Sequence, residues 1–272
     1  QNDSLYLVSI DDSTRGSPQM NLQVYRAEKN YGQPPAARQA NNHTFDCNDA
    51  RVQGGFFQDQ RIQFVGNTIT PDSSSGIYHG IIDLKDPPNQ PVYFKILSFD
   101  PVDVGYPKIS YTGKTPAERE AILSFNHSSD SLFAGFSAVF FDNDSSYSTQ
   151  DTLMRGENFV DIIQGSQNNR FYERWGDYTG AQVAYGDTGV IWASGYRASA
   201  QGSPLTTIVK LRSPNFQASP IGLSATEPGK LSSISVAPNP ADRWFELHFE
   251  GTSKEVRDFE LLRIDGASAG NA

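Results

Sequence analysis

The chain has 272 residues, a net charge of −9 and an apolar content of 37%. The acidic balance argues against nucleic-acid binding, because no basic stripe is available to contact phosphates. No uninterrupted apolar run is long enough for a transmembrane helix. Glycine and proline are frequent, with 23 and 16 residues, and 12% of the residues are aromatic. This profile is typical of short strands joined by turns, and we therefore expect an all-β protein.

Three segments predict hairpins in which an apolar strand, a polar turn and an aromatic-rich strand follow one another. These hairpins are Val52–Phe57 with Arg61–Gly66, Ala121–Phe125 with Ser131–Phe136, and Gly180–Tyr185 with Val190–Gly195. The second strand of each aligns with Ser4–Ser9 at intervals of roughly 60 residues. A further strand follows each unit, at Leu22–Tyr25, Ile77–Ile82, Ala138–Phe141 and Thr206–Leu211.

Units of about 60 residues with three or four strands are typical of the blades of a β-propeller. The first unit begins in its second strand, so residues 1–215 predict a partial propeller of about three blades preceded by a truncated one. Closed propellers have about four to eight blades. We therefore expect the remaining blades in another chain or in a segment outside this sequence. A β-sandwich whose hairpins are alike by chance is the alternative.

One helix is predicted, over Thr115–Leu123. Thr115 suits an N-cap, Pro116 suits the first helical position, and Glu118 lies in the first turn, where an acidic residue complements the helix dipole. This helix would be short and would lead into the next strand.

A distinctive motif, Arg-Trp-Gly-Asp-Tyr, has a functional and a structural interpretation. As part of a glycan hydrolase, Arg174 would bind a carboxylate with two hydrogen bonds, and Asp177 and Tyr178 would take acid–base or nucleophilic roles. As a structural motif, Trp175 would fill the gap between blades, Gly176 would permit a tight turn, and Asp177 would bind backbone amides. The structural interpretation is favoured, because the other units carry no equivalent cluster of arginines and carboxylates.

Metal binding is considered at one oxygen-rich loop. Asp142 and Asp144, followed by Asp151 and Glu157, offer the carboxylates that Ca²⁺ accepts. The loop lacks the glycine and the closing glutamate of an EF-hand, so a solvated turn is the alternative and no cofactor is firmly predicted. The histidines show no zinc spacing: His43, His79, His127 and His248. The single cysteine, Cys47, is predicted to be buried and unreactive.

The C-terminal part divides into a linker at residues 216–230, rich in proline and serine, and a tail at residues 231–272. A short strand leads into Pro238-Asn239-Pro240, an alternating strand follows, and a third strand ends in Asp265-Gly266. This pattern resembles the C-terminal sorting domain of the type IX secretion system of Gram-negative bacteria. The resemblance covers residues 231–266, while the last two strands of that family have no counterpart here.

The resemblance implies a small immunoglobulin-like β-sandwich, a protein that is secreted or held on the cell surface after export across the outer membrane, and the secretion machinery as a partner. The Arg-Trp-Gly-Asp-Tyr motif similarly resembles one found in large secreted propeller proteins of bacteria that use this system, some of them sialidase-like in fold. That second resemblance implies a propeller context and no known activity.

Four short motifs resemble the O-glycosylation site of the same bacteria, with aspartate, then serine or threonine, then an aliphatic residue or threonine. The candidate acceptors are Ser4, Ser13, Ser131 and Thr152. Turns are rich in aspartate and serine in any case. The hypothesis is that at least one acceptor, in an exposed turn, carries a glycan.

The sequence therefore predicts an exported propeller protein that binds glycan or protein as an adhesion module, and it favours a binding protein over an enzyme. Two alternatives remain. One is a sialidase-like propeller that hydrolyses glycans, and the other is a cargo protein whose main interaction is with the secretion machinery through its C-terminal domain.

Overall fold

A computed structural model describes residues 2–10, 19–40, 43–87, 90–162 and 172–216, and the backbone of four short strands within residues 233–271. The chain divides into two compact units, Gln1–Gln217 and Ala218–Ala272. None of the described residues lies in a helix, so the described part of the chain is all-β, as predicted.

The first unit contains the strands β1 to β16. In chain order they are β1 (Asn2–Ile10), β2 (Met20–Tyr31), β3 (Ala37–Arg38), β4 (Thr44–Phe45), β5 (Val52–Gln58), β6 (Arg61–Ile69), β7 (Ser75–Asp83), β8 (Pro91–Leu97), β9 (Asp103–Tyr111), β10 (Ala121–Ser128), β11 (Gly135–Phe141), β12 (Asp151–Met154), β13 (Tyr172–Glu173), β14 (Gly180–Val183), β15 (Val190–Ala198) and β16 (Pro204–Arg212).

Consecutive antiparallel strands make up most of the sheets. A six-stranded sheet has the order β1-β2-β8-β7-β6-β5, a four-stranded sheet has the order β12-β11-β10-β9, and a three-stranded sheet has the order β14-β15-β16. The β1–β2 hairpin joins the first of these through a parallel pairing of Arg26 and Ala27 with Pro91 and Val92. One sheet is curled into a half-barrel. A small sheet, in the order β13-β4-β3, completes the unit.

The sheets pack face to face, and the alternation of side chains along each strand explains why. In β7, Ile77 and Ile81 pack with Leu123 of β10 in one cluster of buried residues. Tyr78, between them in the sequence, packs instead with Leu5 of the β1–β2 hairpin. The sheet that contains β5 to β8 is therefore buried on both of its faces.

The next sheet repeats this arrangement. Leu123 and Phe125 of β10 lie in the cluster shared with β6 and β7, whereas Ile122 packs with Ile191 and Ala193 of β15. Burial on both faces requires apolar side chains at successive positions of a strand, and β10 and β15 have them. The consecutive sheets thus form a stack in chain order.

The hairpins predicted at residues 52–66 and 180–195 are present as β5–β6 and β14–β15, and the strands predicted to follow them are β7 and β16. The helix predicted at Thr115–Leu123 is wrong. The backbone N–H of Glu118 donates to the carbonyl of Thr115 in a turn, and Ala121 begins β10, paired with Phe141. Burial of Ala121, Ile122 and Leu123 against two sheets outweighs the helix-capping pattern.

The strand bounds predicted for the second hairpin are also wrong. β10 continues through Asn126, His127 and Ser128, and β11 is a single strand from Gly135 to Phe141. The residues Asn126 to Ser128 are polar and fully buried. A polar triplet of this kind is typical of a turn, and the hydrogen-bond partners that permit its burial lie elsewhere in the chain.

The second unit contains β17 (Ser233–Ala237), β18 (Glu246–Glu250), β19 (Glu260–Leu262) and β20 (Ser268–Asn271). β17 pairs with β18 and β19 pairs with β20, both antiparallel. The first pair overlaps the two strands predicted on either side of the Pro-Asn-Pro turn. Five predicted sorting-signal residues lie outside the described residues: Pro238, Asn239, Pro240, Asp265 and Gly266.

Candidate functional site

A pocket of about 300 Å³ lies between the turn that carries the Arg-Trp-Gly-Asp-Tyr motif and the strands β15 and β16. Its lining residues come from these two regions of the chain: Arg174, Trp175, Gly176, Asp177, Tyr178, Thr179, Gly195, Tyr196, Pro204 and Thr206. The structure therefore brings all five residues of the motif to one surface.

Trp175 anchors this turn in the protein interior. The indole is 1% exposed and stacks on Phe45, with ring centroids 4.3 Å apart and an angle of 13° between the planes. Its Nε1–H donates to the carbonyl of Asp46 at 3.0 Å. Gly176 follows with φ of +87°, and a Cβ at this position would collide with the amide nitrogen of Asn126. The left-handed backbone and the close approach both require glycine here.

Arg174 and Asp177 bind each other across the turn. Nη2 and Nε of Arg174 donate to Oδ2 of Asp177 at 2.7 and 3.1 Å, and this carboxylate raises the pKa of Arg174. The sequence predicted backbone amides as the partners of Asp177, whereas the structure shows the guanidinium of Arg174 in that role. Because the two charges compensate each other, Arg174 is not held ready to bind a substrate carboxylate.

Tyr178 extends into solvent beside the pocket, with 95% of the residue exposed. Its position is set from both sides, by the buried Trp175 and by Thr179, whose hydroxyl lies 3.1 Å from the carbonyl of Gly176 and 3.2 Å from that of Tyr106. Because the turn that carries this ring is already anchored, its backbone loses little conformational freedom when a ligand binds.

Two buried tyrosines lie near this pocket, and neither is activated as a nucleophile. Tyr196 lines the pocket, and Tyr106 lies under Gly176 in a left-handed conformation with φ of +55°. Burial raises the pKa of both phenols. A tyrosine nucleophile needs the opposite shift, because the phenolate is the reactive form.

The pocket also lacks the carboxylate pair of most glycosidases. Asp177 is the one carboxylate among the lining residues, and it is already paired with Arg174. A glycosidase of the usual kind needs a second aspartate or glutamate across the scissile bond, at a distance of roughly 5 to 10 Å. Among the described residues that line the pocket, this second carboxylate is not present.

Two of the four residues considered for Ca²⁺ are occupied by local contacts. Oδ1 of Asp142 accepts a hydrogen bond from the N–H of Ser146 at 2.7 Å, and Glu157 binds Arg197 at 2.5 Å. In the part of the chain that the structure describes, no third histidine, cysteine or acidic side chain joins Asp142 and Asp144 in a ligand group.

A different ligand group, which the spacing of the histidines did not predict, is present between β4 and β13. His43, Asp161 and Glu173 each place one potential metal-binding atom within 4.8 Å of the others. These residues lie far apart in the sequence, and the parallel pairing of β4 with β13 brings two of their segments together. No spacing in the sequence could have indicated this arrangement.

The candidate glycosylation sites differ in exposure. Ser131 is exposed in the turn between β10 and β11, and Thr152 is exposed on the edge strand β12. Ser4 is half-buried in β1, where its hydroxyl donates to Asp3. Ser13 lies outside the described residues. Cys47 is buried, and burial raises the pKa of its thiol to about 12.

Within the described ranges, no helix is long and apolar enough to cross a membrane. Comparison of the chain with protein-family models, with curated proteins and with solved structures gave no match.

Proposed function

We propose that this chain is a glycan-binding module of the β-propeller type that is exported to the bacterial cell surface. The observation that carries the glycan-binding proposal is Tyr178. Its ring is 95% exposed beside a 300 Å³ pocket, on a turn that Trp175 anchors. An exposed aromatic side chain beside a pocket supplies apolar area that a ligand can cover.

The chemistry around Tyr178 suits a carbohydrate. The C–H face of a pyranose ring packs on an aromatic face, and its hydroxyl groups need donors and acceptors close by. Thr179 and Thr206 offer hydroxyl groups, and the Arg174–Asp177 pair offers both a donor and an acceptor. Since this pair is neutral as a whole, a neutral sugar is favoured over an acidic one.

The propeller arrangement is supported by the stacking of consecutive sheets and by the β1–β2 hairpin. One face of this hairpin packs on the β5–β8 strands, and the other is apolar and exposed. Its cross-strand pairs, each residue more than half exposed, are Tyr6 with Val24, Val8 with Leu22 and Ile10 with Met20. We infer that a further antiparallel sheet of the same kind covers this face, as the neighbouring sheets cover one another.

Export by the type IX secretion system is supported by the sequence resemblance of residues 231–266. β17 and β18, which precede and follow the Pro-Asn-Pro sequence, pair antiparallel, and this pairing is compatible with the resemblance. Deletion of residues 231–272 from the precursor, as the host bacterium makes it, should abolish surface display measured by antibody labelling of intact cells. Retained display would exclude this role of the tail.

The glycan-binding proposal is tested with Tyr178→Ala and with Tyr185→Ala as the matched control. Tyr185 is 87% exposed on the β14–β15 turn and outside the pocket lining. Both variants and the parent chain are applied to a printed glycan array, and the best ligand is titrated by calorimetry. Tyr178→Ala should weaken binding by about tenfold to a hundredfold, and Tyr185→Ala should leave it unchanged. An array with no bound glycan, or equal affinity of the parent chain and Tyr178→Ala, would exclude the proposal.

The hydrolase alternative has its own variant. Asp177→Asn should abolish turnover of a glycan substrate if Asp177 is catalytic. If the pair with Arg174 is structural, the parent chain should show no turnover, and Asp177→Asn should weaken the turn and reduce glycan binding. Release of reducing sugar by the parent chain, lost in Asp177→Asn, would establish the enzyme instead.

A further inference from the structure

We propose that His43, Asp161 and Glu173 form a binding site for one divalent transition-metal ion, of the Zn²⁺ class. Nδ1 of His43 lies 3.6 Å from Oδ1 of Asp161 and 3.8 Å from Oε1 of Glu173. A tetrahedral ion with bonds of about 2.1 Å separates its ligands by about 3.4 Å. Shifts of a few tenths of an ångström would therefore bring the three atoms to bonding distance of one ion.

The three side chains are held in place by separate backbone contacts. Glu173 pairs with Phe45 in the parallel β4–β13 ladder, and its carbonyl accepts a hydrogen bond from the N–H of Asp46 at 3.0 Å. His43 directly precedes β4 in the chain. Two of the ligands are thus attached to neighbouring strands, which is the rigid support that a metal site requires.

Asp161 is positioned by the segment around Val160. The side chain of Gln39 exchanges two hydrogen bonds with the backbone of Val160, at 2.8 and 3.2 Å, and Val160 is fully buried. On the other side, the N–H of Ile162 donates to Oε1 of Glu173 at 3.1 Å. The carboxylate of Asp161 is therefore directed at the same place from a third segment of the chain.

The charge and burial of the group favour a doubly charged ion. The Glu173 side chain is 2% exposed and that of His43 is 17% exposed, while Asp161 is half exposed. Among the described residues, two carboxylates and one imidazole face this partly buried space, and both carboxylates attract a divalent cation. One imidazole nitrogen with two carboxylate oxygens is a donor set that suits Zn²⁺ or Mn²⁺ better than Ca²⁺ or Mg²⁺, which prefer oxygen alone.

The site would add a further link between three segments that already contact one another through hydrogen bonds. Glu173 lies two residues before Trp175, which anchors the turn of the glycan pocket. Bound metal should therefore raise the thermal stability of this region. The metal proposal is independent of glycan binding, because none of its ligands lines the pocket.

The test is calorimetric titration of the chelator-treated full chain with Zn²⁺, and separately with Ca²⁺. One saturable Zn²⁺ site is expected, and Ca²⁺ should bind more weakly. Asp161→Asn and His43→Gln should each weaken Zn²⁺ binding by at least about tenfold. Asp144→Asn, an exposed acidic residue outside the group, is the matched control and should bind as the parent chain does.

Glu173 is not substituted, because a change at this buried residue could prevent folding. Asp161 is half exposed, and Asp161→Asn should therefore fold. The melting temperature of the parent chain should rise with added Zn²⁺, and that of Asp161→Asn should rise less. Absence of a saturable Zn²⁺ site would overturn the proposal. So would Zn²⁺ binding that is unaffected by Asp161→Asn and His43→Gln, or Ca²⁺ binding as tight as that of Zn²⁺ and independent of His43.

Discussion

The side-chain oxygen of Asn67 accepts a hydrogen bond from the backbone N–H of Tyr106 at 2.8 Å, and this contact joins β6 to β9 in the next sheet. Nδ2 of Asn67 donates to the carbonyls of Val104 and Gly76 at 2.9 and 3.1 Å. One sheet further along the stack, Asn126 accepts from the N–H of Tyr196 at 3.0 Å. At each of two successive sheet interfaces, an asparagine side chain thus binds the backbone amide of a tyrosine in the next sheet.

Asn67→Ala should lower the free energy of unfolding by about 3 kcal/mol. The change leaves the buried Tyr106 amide without a partner, which costs about 1–3 kcal/mol, and it removes two further hydrogen bonds, to the carbonyls of Val104 and Gly76. Asn21→Ala, an exposed asparagine of β2, should change the value by less than about 0.5 kcal/mol. Urea denaturation followed by tryptophan fluorescence measures both variants. Equal stability of Asn67→Ala and Asn21→Ala would show that this contact is dispensable.

A second prediction concerns the buried carboxylate of Asp103. Its Oδ2 accepts hydrogen bonds from Nε and from the backbone N–H of Arg38, at 2.7 and 2.9 Å, and its Oδ1 accepts from the N–H of Ser75 at 3.0 Å. Among the described residues, Arg38 is the only cation within ion-pair distance of this side chain, which is 2% exposed, and Arg38→Ala removes it. We expect a loss of about 3 kcal/mol.

The matched control for Arg38 is Arg26, which binds Asp3 at 3.5 Å with 78% of its side chain exposed. Surface pairs of this kind contribute little, so Arg26→Ala should cost less than about 1 kcal/mol. Thermal unfolding of the two variants, measured together, separates a buried ion pair from an exposed one. A larger loss in Arg26→Ala than in Arg38→Ala would contradict the assignment.

A third prediction follows from two buried histidines. Burial lowers the pKa of His79 to about 3 and that of His127 to about 4. In the unfolded chain both values return to about 6.5. Below that pH the unfolded state binds protons that the folded state does not bind. The free energy of unfolding should therefore fall as the pH is lowered from 6.5 towards 4, by up to several kcal/mol, and the two histidines should have no effect above pH 7.

His127→Gln isolates this contribution. His127 is hydrogen-bonded through Nδ1 to the hydroxyl of Ser137 at 2.6 Å, and glutamine keeps a polar group there without a titration in this range. The variant should show a smaller decrease in stability between pH 6.5 and pH 5, where most carboxylates are still ionised. Urea unfolding at several pH values provides the measurement. An unchanged pH slope would show that His127 is not buried in its neutral form.

The sequence predicted those parts of the fold whose side chains alternate or whose turns have a local signal. The β5–β6 and β14–β15 hairpins are of this kind, because a polar turn separates two apolar strands in each. Asn126, His127 and Ser128 could not be recognised as part of a strand. Their burial depends on partners such as Tyr196 and Ser137, which no local pattern specifies.

The candidate site was predicted in part for the same reason. Trp175 and Gly176 stand out because a buried indole and a left-handed glycine serve the turn itself. The pairing of Arg174 with Asp177 depends on how that turn closes. The group of His43 and Glu173 depends on the parallel pairing of two short strands, and long-range pairing leaves no periodic signal in a sequence.

The last prediction concerns the exposed apolar face of the β1–β2 hairpin. Its six side chains present on the order of 600 Å² of apolar surface, at the upper end for a soluble monomer. Until another sheet covers this face, the purified chain should self-associate as its concentration rises. The double variant Val8→Lys with Leu22→Glu places an ion pair in the centre of the face and should keep the chain monomeric.

The matched control, Ser9→Lys with Asn21→Glu, places the same charges on the adjacent cross-strand pair of the opposite face, so it should associate like the parent chain. Sedimentation velocity over a range of concentrations distinguishes these outcomes. A parent chain that stays monomeric, or association that both double variants abolish equally, would mean that this face needs no covering sheet.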